Sequence, residues 1–366
     1  FLILGSDSQF IPLPSHRYLN ALNPFLTTTD PLTDSVSEHA TTTLPQSFLF
    51  HSVLMIFAGL GVWLILKNSK KPNFINKDMI SFSLIIGIIG IYVSSAFVRL
   101  EIFASLAIII LSSLGLTLLL KEIFSNKTEI KKSKIVVLKL PFVIGLIFLL
   151  IIPLFYPVNA NVTTIVHVPP TIMNGGSTYS MSTTDWIDSL NWIKDNTSKD
   201  AVIGSWWDYG YWIQTKANRA SLADNSTVND HIIKKIAEMF IKSPDQGWQI
   251  LRDMESDYFV VFVTGQRLTV DLNDHPIYLL GGGGDESKKY WFIKIAEEPL
   301  AKYLHNDGTS GTDYFWNETI LGKMIPFTPL GYVHLPTNQQ SLTYQPGFSP
   351  IYVKDIKYPI DEDGPL

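Results

Sequence analysis

The sequence predicts a chain of two parts: a membrane α-helical part of four spans, then an extracytoplasmic mixed α/β globular domain. Three observations predict it. Four apolar runs of membrane-spanning length fill the first half, at Phe48–Leu66, Met79–Val98, Ile102–Leu120 and Leu140–Pro157. Each is long enough to cross a hydrocarbon layer of about 30 Å as a helix. Lysines crowd two of the connecting loops, and beyond residue 158 short helical and strand-like patterns alternate.

The bulk properties agree with this division. The chain has 366 residues with a formal charge of −5 and a positive mean hydropathy. That charge, with no basic stripe interleaved with aromatics, argues against nucleic acid as a partner. There is no cysteine, which excludes disulfide frameworks, thiolate zinc sites and cysteine nucleophiles. The chain opens FLILGSDSQ, without Met or a signal-peptide pattern, and reads as the later part of a longer polypeptide.

Residues 1–47 come first. They lack helical period and hold several prolines and threonines, so they read as a long outer loop. Loops of that length without structure of their own are usually functional or disordered. Its acids include Asp30, Asp34 and Glu38, and hard divalent cations prefer carboxylate oxygens. Residues 48–157 are the four spans, and their orientation follows from loop charge. The loop after the first carries Lys67, Lys70, Lys71 and Lys77; the loop after the third carries Lys121, Lys127, Lys131, Lys132 and Lys134. The positive-inside rule makes both cytoplasmic. Residues 1–47, the turn around Arg99 and everything after residue 158 then lie outside. His51, near the start of the first run, reads as an interfacial polar residue rather than a ligand. Arg99 reads either as an interfacial anchor or an arginine paired with its neighbour Glu101, or else as a cation for a lipid-borne anion such as a phosphate.

Residues 158–366 form the outer globular domain, of ordinary domain size. DWIDSLNWIKDN spaces Trp186, Leu190 and Ile193 along one helical face, with Thr183 or Thr184 as the cap. AVIG is a strand leading into SWWDYGYWI. DNSTVNDHIIKKIAEMFI is a second amphipathic helix, DYFVVFVTG a buried strand, and GGGGDESKKYWFIKIAEE a turn running into a helix. The GGGG run lacks a phosphate-loop context and reads as a loop. On the residues alone, Asp208 among five aromatics is either a satisfied acid in a packed core or an acceptor kept for a ligand.

Three separated stretches resemble one family, the catalytic subunit of oligosaccharyltransferase of the archaeal and eukaryotic type. WWDYG, Trp206–Gly210, is that family's hallmark pentapeptide. SVSEH, Ser35–His39, looks like its acid-bearing outer-loop motif, placed just before a span. DESKKYWFI, Asp285–Ile293, looks like its DxxKxxxM/I motif, departing by Phe292 where Met or Ile stands. VRL around Arg99 is a weaker fourth match. The resemblance implies the last four spans of a multi-span GT-C membrane domain followed by the outer domain. It implies transfer of an oligosaccharide from a lipid (dolichyl) phosphate or pyrophosphate carrier to Asn of Asn-X-Ser/Thr sequons.

Roles follow from the resemblance. Glu38 is the catalytic carboxylate that hydrogen-bonds and twists the acceptor amide, and it is also a ligand of a Mg²⁺ or Mn²⁺ ion whose other ligands lie upstream. Arg99 binds the lipid phosphate. Trp206, Trp207 and Asp208 bind the sequon hydroxyl, with Lys288 and Phe292 lining the same pocket and Phe292 touching a threonine methyl. Asp285 orients Lys288 as an i, i+3 pair, while Tyr209 packs and Gly210 permits a tight backbone. The implied partners are an acceptor polypeptide, a lipid-linked oligosaccharide and the membrane: the plasma membrane of an archaeon or the endoplasmic reticulum of a eukaryote. Without its upstream part the chain is expected to be catalytically incomplete. The competing readings are a non-catalytic membrane-anchored peptide or glycan receptor, and a lipid-linked sugar transferase acting on hydroxyls. The chain's own outward sequons, Asn161, Asn196, Asn225 and Asn317, are candidate glycan sites, whereas Asn126 falls in a cytoplasmic loop.

Overall fold

The computed structural model describes residues 31–36, 39, 42–68, 77–124, 132–156, 161, 163, 166–167, 170–174, 182–270, 276–280, 283–332 and 351–356. The chain divides into two compact units, Phe1–Val168 and Pro169–Leu366.

The first unit is helical: α1 Leu44–His51, α2 Val53–Asn68, α3 Lys77–Ala96, α4 Glu101–Phe124 and α5 Lys132–Phe155. Among the described residues, one apolar stretch, Val98–Lys121, has the length and composition to cross a membrane; Val53–Lys67, Ser81–Ala96 and Leu140–Phe155 are apolar but shorter. The first expected run is broken at Ser52, whose φ of 49° is left-handed and disfavoured for a residue with a Cβ. A one-turn 3₁₀ segment, Val98–Leu100, separates α3 from α4. The α2 and α4 backbones touch directly. A Cβ on Gly61 would lie 2.4 Å from the Leu111 carbonyl oxygen, and one on Gly115 would lie 2.1 Å from that of Phe57. Small residues permit this approach, as they do between helices in lipid. Around that seam Ala58, Ala104, Ile108 and Leu111 form a buried cluster. The outer faces are also apolar: Trp63, Phe82, Ile88 and Phe148 are all more than half exposed.

The second unit mixes helices with two sheets. Helix α6, Asp185–Asn196, buries Trp186, Leu190 and Ile193, the face its spacing predicts. Thr184 precedes it, but its hydroxyl donates to Asp188 and makes no cap bond to the backbone. Strands β1 Val202–Gly204, β2 Ala220–Ser221 and β3 Tyr258–Phe259 form a parallel sheet in the order β2-β1-β3. Helix α7, Asp230–Ile241, is capped by Asn229, whose Oδ1 accepts from the Ile232 amide, and is followed by α8, Pro244–Asp253. An antiparallel sheet joins β4 Gly265–Val270, β5 Pro276–Leu280, β6 Phe327–Tyr332 and β7 Ile351–Ile356 in the order β4-β5-β7-β6. Helix α9, Lys289–Ile295, follows a 3₁₀ turn at Asp285–Lys288.

One strand expectation needs correction. DYFVVFVTG is not a strand throughout. Only Tyr258–Phe259 joins β1, with Val260 N–H adding one bond to the Gly204 carbonyl. From there the backbone leaves the sheet for the 3₁₀ turn: Asp285 N–H donates to the Phe262 carbonyl at 2.7 Å, and Phe262 N–H donates to the Asp285 carboxylate at 2.8 Å. A three-residue β1 is too short to hold the whole run.

Candidate functional site

The WWDYG segment is a compact coil. Trp206 is extended, Trp207–Tyr209 make a 3₁₀ turn, and Gly210–Trp212 continue as one helical turn. Gly210 is needed for space and not for backbone freedom. Its φ of −56° is ordinary helix, but a Cβ there would lie 2.1 Å from the Ala223 carbonyl oxygen and 2.5 Å from Asp224 Cα.

Burial separates the residues of the pentapeptide. Trp206, Trp207 and Tyr209 are buried, whereas the Asp208 side chain is 30 % exposed. Lys288 Nζ donates to Asp208 Oδ2 at 2.6 Å and to the Tyr209 hydroxyl at 2.8 Å. Tyr209 in turn donates to Asp285 Oδ1 at 2.7 Å. Asp285 Oδ1 lies 3.6 Å from Lys288 Nζ, the i, i+3 approach expected from the spacing. The result is a chain of groups, Asp208–Lys288–Tyr209–Asp285–Phe262 N–H, running from a half-open acid to a fully buried one.

The electrostatics follow from that gradient. Burial raises the Asp285 carboxyl above the usual range, even though Lys288 and the Phe262 amide pull it down. Burial acts to lower the Lys288 ammonium, but the nearby Asp208 and Asp285 outweigh it and the net shift is upward. Burial, then Asp285 and Asp208, push the Tyr209 phenol well above its ordinary value. Tyr209 therefore stays a neutral donor beside two carboxylates.

Asp208 keeps one oxygen open. Its Oδ2 is taken by Lys288, and among the described residues no donor reaches Oδ1. The indole N–H of Trp207, the preceding residue, is buried and has no hydrogen-bond partner among the described residues. A hydroxyl both donates and accepts, so an open carboxylate oxygen and an unpaired indole N–H are the two kinds of group it needs. Behind them Phe292, fully buried, stacks on Phe240 with centroids 4.4 Å apart and meets the Trp206 ring edge-on at 4.6 Å. Phe292 packs against Trp206 and, in this structure, is fully buried.

In the helical unit, Glu38 lies outside the described residues. Its neighbour His39 packs on Phe97, ring centroids 4.9 Å apart, and Arg99 sits two residues further on in the 3₁₀ turn. His51 is buried and bonded at 2.8 Å to Glu101, not interfacial as its position in the sequence implied. Glu101 turns to His51 and Ser47 instead of to its neighbour Arg99. Among the described residues no group of three or more His, Asp or Glu gathers as a metal site.

Sequence reasoning missed the polar roles of Tyr209, Phe262 N–H, Ser47, His51 and Glu101. A tyrosine within a motif of aromatics reads as packing. A backbone amide, or a His–Glu pair about fifty residues apart, has no local signature at all.

With the apolar helical unit and the WWDYG site described, the chain can be set beside known proteins. No family model matches the chain. It is similar to the dolichyl-diphosphooligosaccharide–protein glycosyltransferase subunits stt-3 of Caenorhabditis elegans (23 % identity over 338 residues) and STT3 of Dictyostelium discoideum (26 % over 310 residues), covering 81 % and 80 % of this chain. It is 25 % identical over 273 residues to STT3 of Saccharomyces cerevisiae. The chain spans about two fifths of the length of these relatives: 42 %, 39 % and 35 %. Among solved structures, an Archaeoglobus fulgidus oligosaccharyltransferase tethered to an acceptor peptide with the NVT sequon aligns with 88 % of this chain and 40 % of its own (15 % identity, TM-score 0.47). The C-terminal globular domain of another oligosaccharyltransferase from that organism aligns with 48 % of this chain and 99 % of its own (23 % identity, TM-score 0.27).

Proposed function

We propose that the chain is the C-terminal part of an oligosaccharyltransferase catalytic subunit, which transfers a glycan from a dolichyl-linked phosphate or pyrophosphate to asparagine in Asn-X-Ser/Thr. The observation that carries this reading is the open Asp208. Lys288 and the Tyr209–Asp285 pair fix the carboxylate, so its free Oδ1 is aimed and not mobile. A hydroxyl two residues beyond the acceptor asparagine would donate to Oδ1 and accept from the Trp207 indole. A residue without that hydroxyl would leave both groups unpaired in a largely buried site, which is how a polar pocket rejects an analogue.

In this proposal the pocket reads the acceptor and the membrane unit does the chemistry. Glu38 hydrogen-bonds the acceptor amide, and Arg99 neutralises the departing phosphate. His39, the residue after Glu38, packs on Phe97, two residues before Arg99. A Mg²⁺ or Mn²⁺ ion, held by Glu38 and by residues upstream of this chain, would add Lewis-acid neutralisation of the leaving group. Four spans place the loops after the first and third in the cytoplasm and the second unit outside. The apolar outer faces of the helices favour lipid around them. A non-catalytic peptide receptor is the alternative, and it would capture a peptide without transferring a glycan to it.

The test uses the full-length protein with tethered Asn-X-Thr and Asn-X-Ala peptides, with and without Asp208→Ala, followed by transfer from a lipid-linked donor. A threonine preference that Asp208→Ala removes, together with transfer, supports the reading. Equal capture of both peptides by the wild-type protein sinks it; capture without transfer favours the receptor.

A further inference from the structure

The helical unit contains a polar knot that the proposed chemistry does not use. Glu101 Oε1 accepts from Ser47 Oγ and pairs with His51 Nε2, both at 2.8 Å. His51 and Glu101 are each 6 % exposed. Glu101 Oε2 is buried with no partner among the described residues, which makes the residue costly to keep if packing were its only task. Its backbone closes the 3₁₀ turn Val98–Leu100 by donating from its N–H to the Val98 carbonyl. Glu101 therefore fixes the Arg99 turn by its main chain and α1 by its side chain.

Two further contacts run alongside. Thr42 Oγ1 donates to the Ser94 carbonyl at 2.9 Å, and His39 packs on Phe97. His39, Thr42, Ser47 and His51 are therefore tied to the stretch 94–101 at Phe97, Ser94 and Glu101. The break at Ser52 ends α1 one residue after His51.

We propose that Glu101 is a positioning residue. Through Ser47 and His51 it holds the acid-bearing outer loop in register with the turn that carries Arg99. This rests on the functional reading above for the roles of Glu38 and Arg99; the clamp itself rests only on the contacts. A carboxylate and a cation that must act on opposite sides of one bond need a fixed separation, and small misplacements reduce rate steeply.

The experiment uses the full-length protein with spin labels on cysteines at Thr43 and Ser95, both exposed and adjacent to the bonded pair. The chain has no cysteine of its own; any elsewhere in the protein would be replaced. The expected result is one narrow, short distance that broadens in Glu101→Ala and is preserved in Glu101→Gln, whose amide oxygen still accepts from Ser47 and His51. In parallel, kcat should fall at least tenfold in Glu101→Ala, with KM for the acceptor peptide unchanged and Glu101→Gln restoring most of the rate. If Glu101→Ala does not fold, Ser47→Ala should give partial broadening. Unchanged distances in Glu101→Ala or Ser47→Ala overturn the clamp. A broadened distance with no change in kcat overturns its role in positioning. Broadening in a protein whose wild type transfers no glycan would keep the clamp and reject the functional reading instead.

Discussion

Replacing Lys288 by Met removes the one ammonium that the structure places between Asp208 and Asp285. Asp285 is fully buried and would keep only the Tyr209 hydroxyl and the Phe262 amide as donors. Removing one member of a buried ion pair costs about 3–5 kcal/mol. Lys288 itself is 20 % exposed, so the lower end, about 3 kcal/mol, applies. At about 1.4 kcal/mol per tenfold, that is on the order of a hundredfold loss of local protection. The assay is hydrogen exchange by mass spectrometry on the full-length protein, following peptides that contain Phe262 and Asp285, whose amides are both bonded across this contact. The sign with pH is fixed. Burial already raises Asp285, and losing the lysine raises it further. The neutral acid does not need the cation, so the deficit is largest above the folded pKa of Asp285 and shrinks as pH falls through it. Lys288→Arg should show a smaller deficit. A Lys288→Met protein with wild-type protection, or with a deficit that does not change between acidic and neutral pH, would refute the electrostatic account of the site.

Gly210→Ala should destabilise the second unit by about 3 kcal/mol, because its Cβ would meet the backbone of Ala223 and Asp224 with nowhere to move; thermal unfolding and loss of peptide capture would read this. Phe292→Met should cost no more than about 1.5 kcal/mol and leave the preference between threonine and serine peptides unchanged, since the ring is wholly buried behind Trp206; an altered preference measured in competition would show that Phe292 reaches the ligand. Among the chain's own sequons, Asn196 and Ser198 are exposed, whereas Asn161 is buried and donates to the Phe155 carbonyl. Glycopeptide mapping should find Asn196 occupied well above Asn161, and the reverse order would contradict the burial argument.

Much of the site was legible because its parts are local. The 3.6-residue spacing of Trp186, Leu190 and Ile193 gave the buried face of α6, and the three-residue spacing of Asp285 and Lys288 gave their approach. WWDYG marked the acid. What composition and period could not show was how each group is satisfied. Phe292 sits near the motif in space, but whether its ring faces a ligand or the core depends on Phe240, more than fifty residues earlier. Tyr209 looked like filler because a phenol's partner is invisible until the chain is closed. Gly210 was read as a need for backbone freedom, and turned out to be a need for room against a loop thirteen residues on. His51 and Glu101 lie in apolar runs, where a lone polar residue gives no hint of its partner across the helices. DYFVVFVTG has the composition of a strand, and only the length of its neighbour β1 decides where pairing stops.

The bonds that aim Asp208 join residues 80, 79 and 76 positions apart, and this sets an order of synthesis. When a ribosome has completed the tryptophans and Asp208, the lysine that steadies the acid has not yet been made. Both ends of this chain of bonds exist only after Lys288 has emerged and α9 has packed on α7. A chain stopped between residues 210 and 288 would keep the full pentapeptide and leave Asp208 without its lysine.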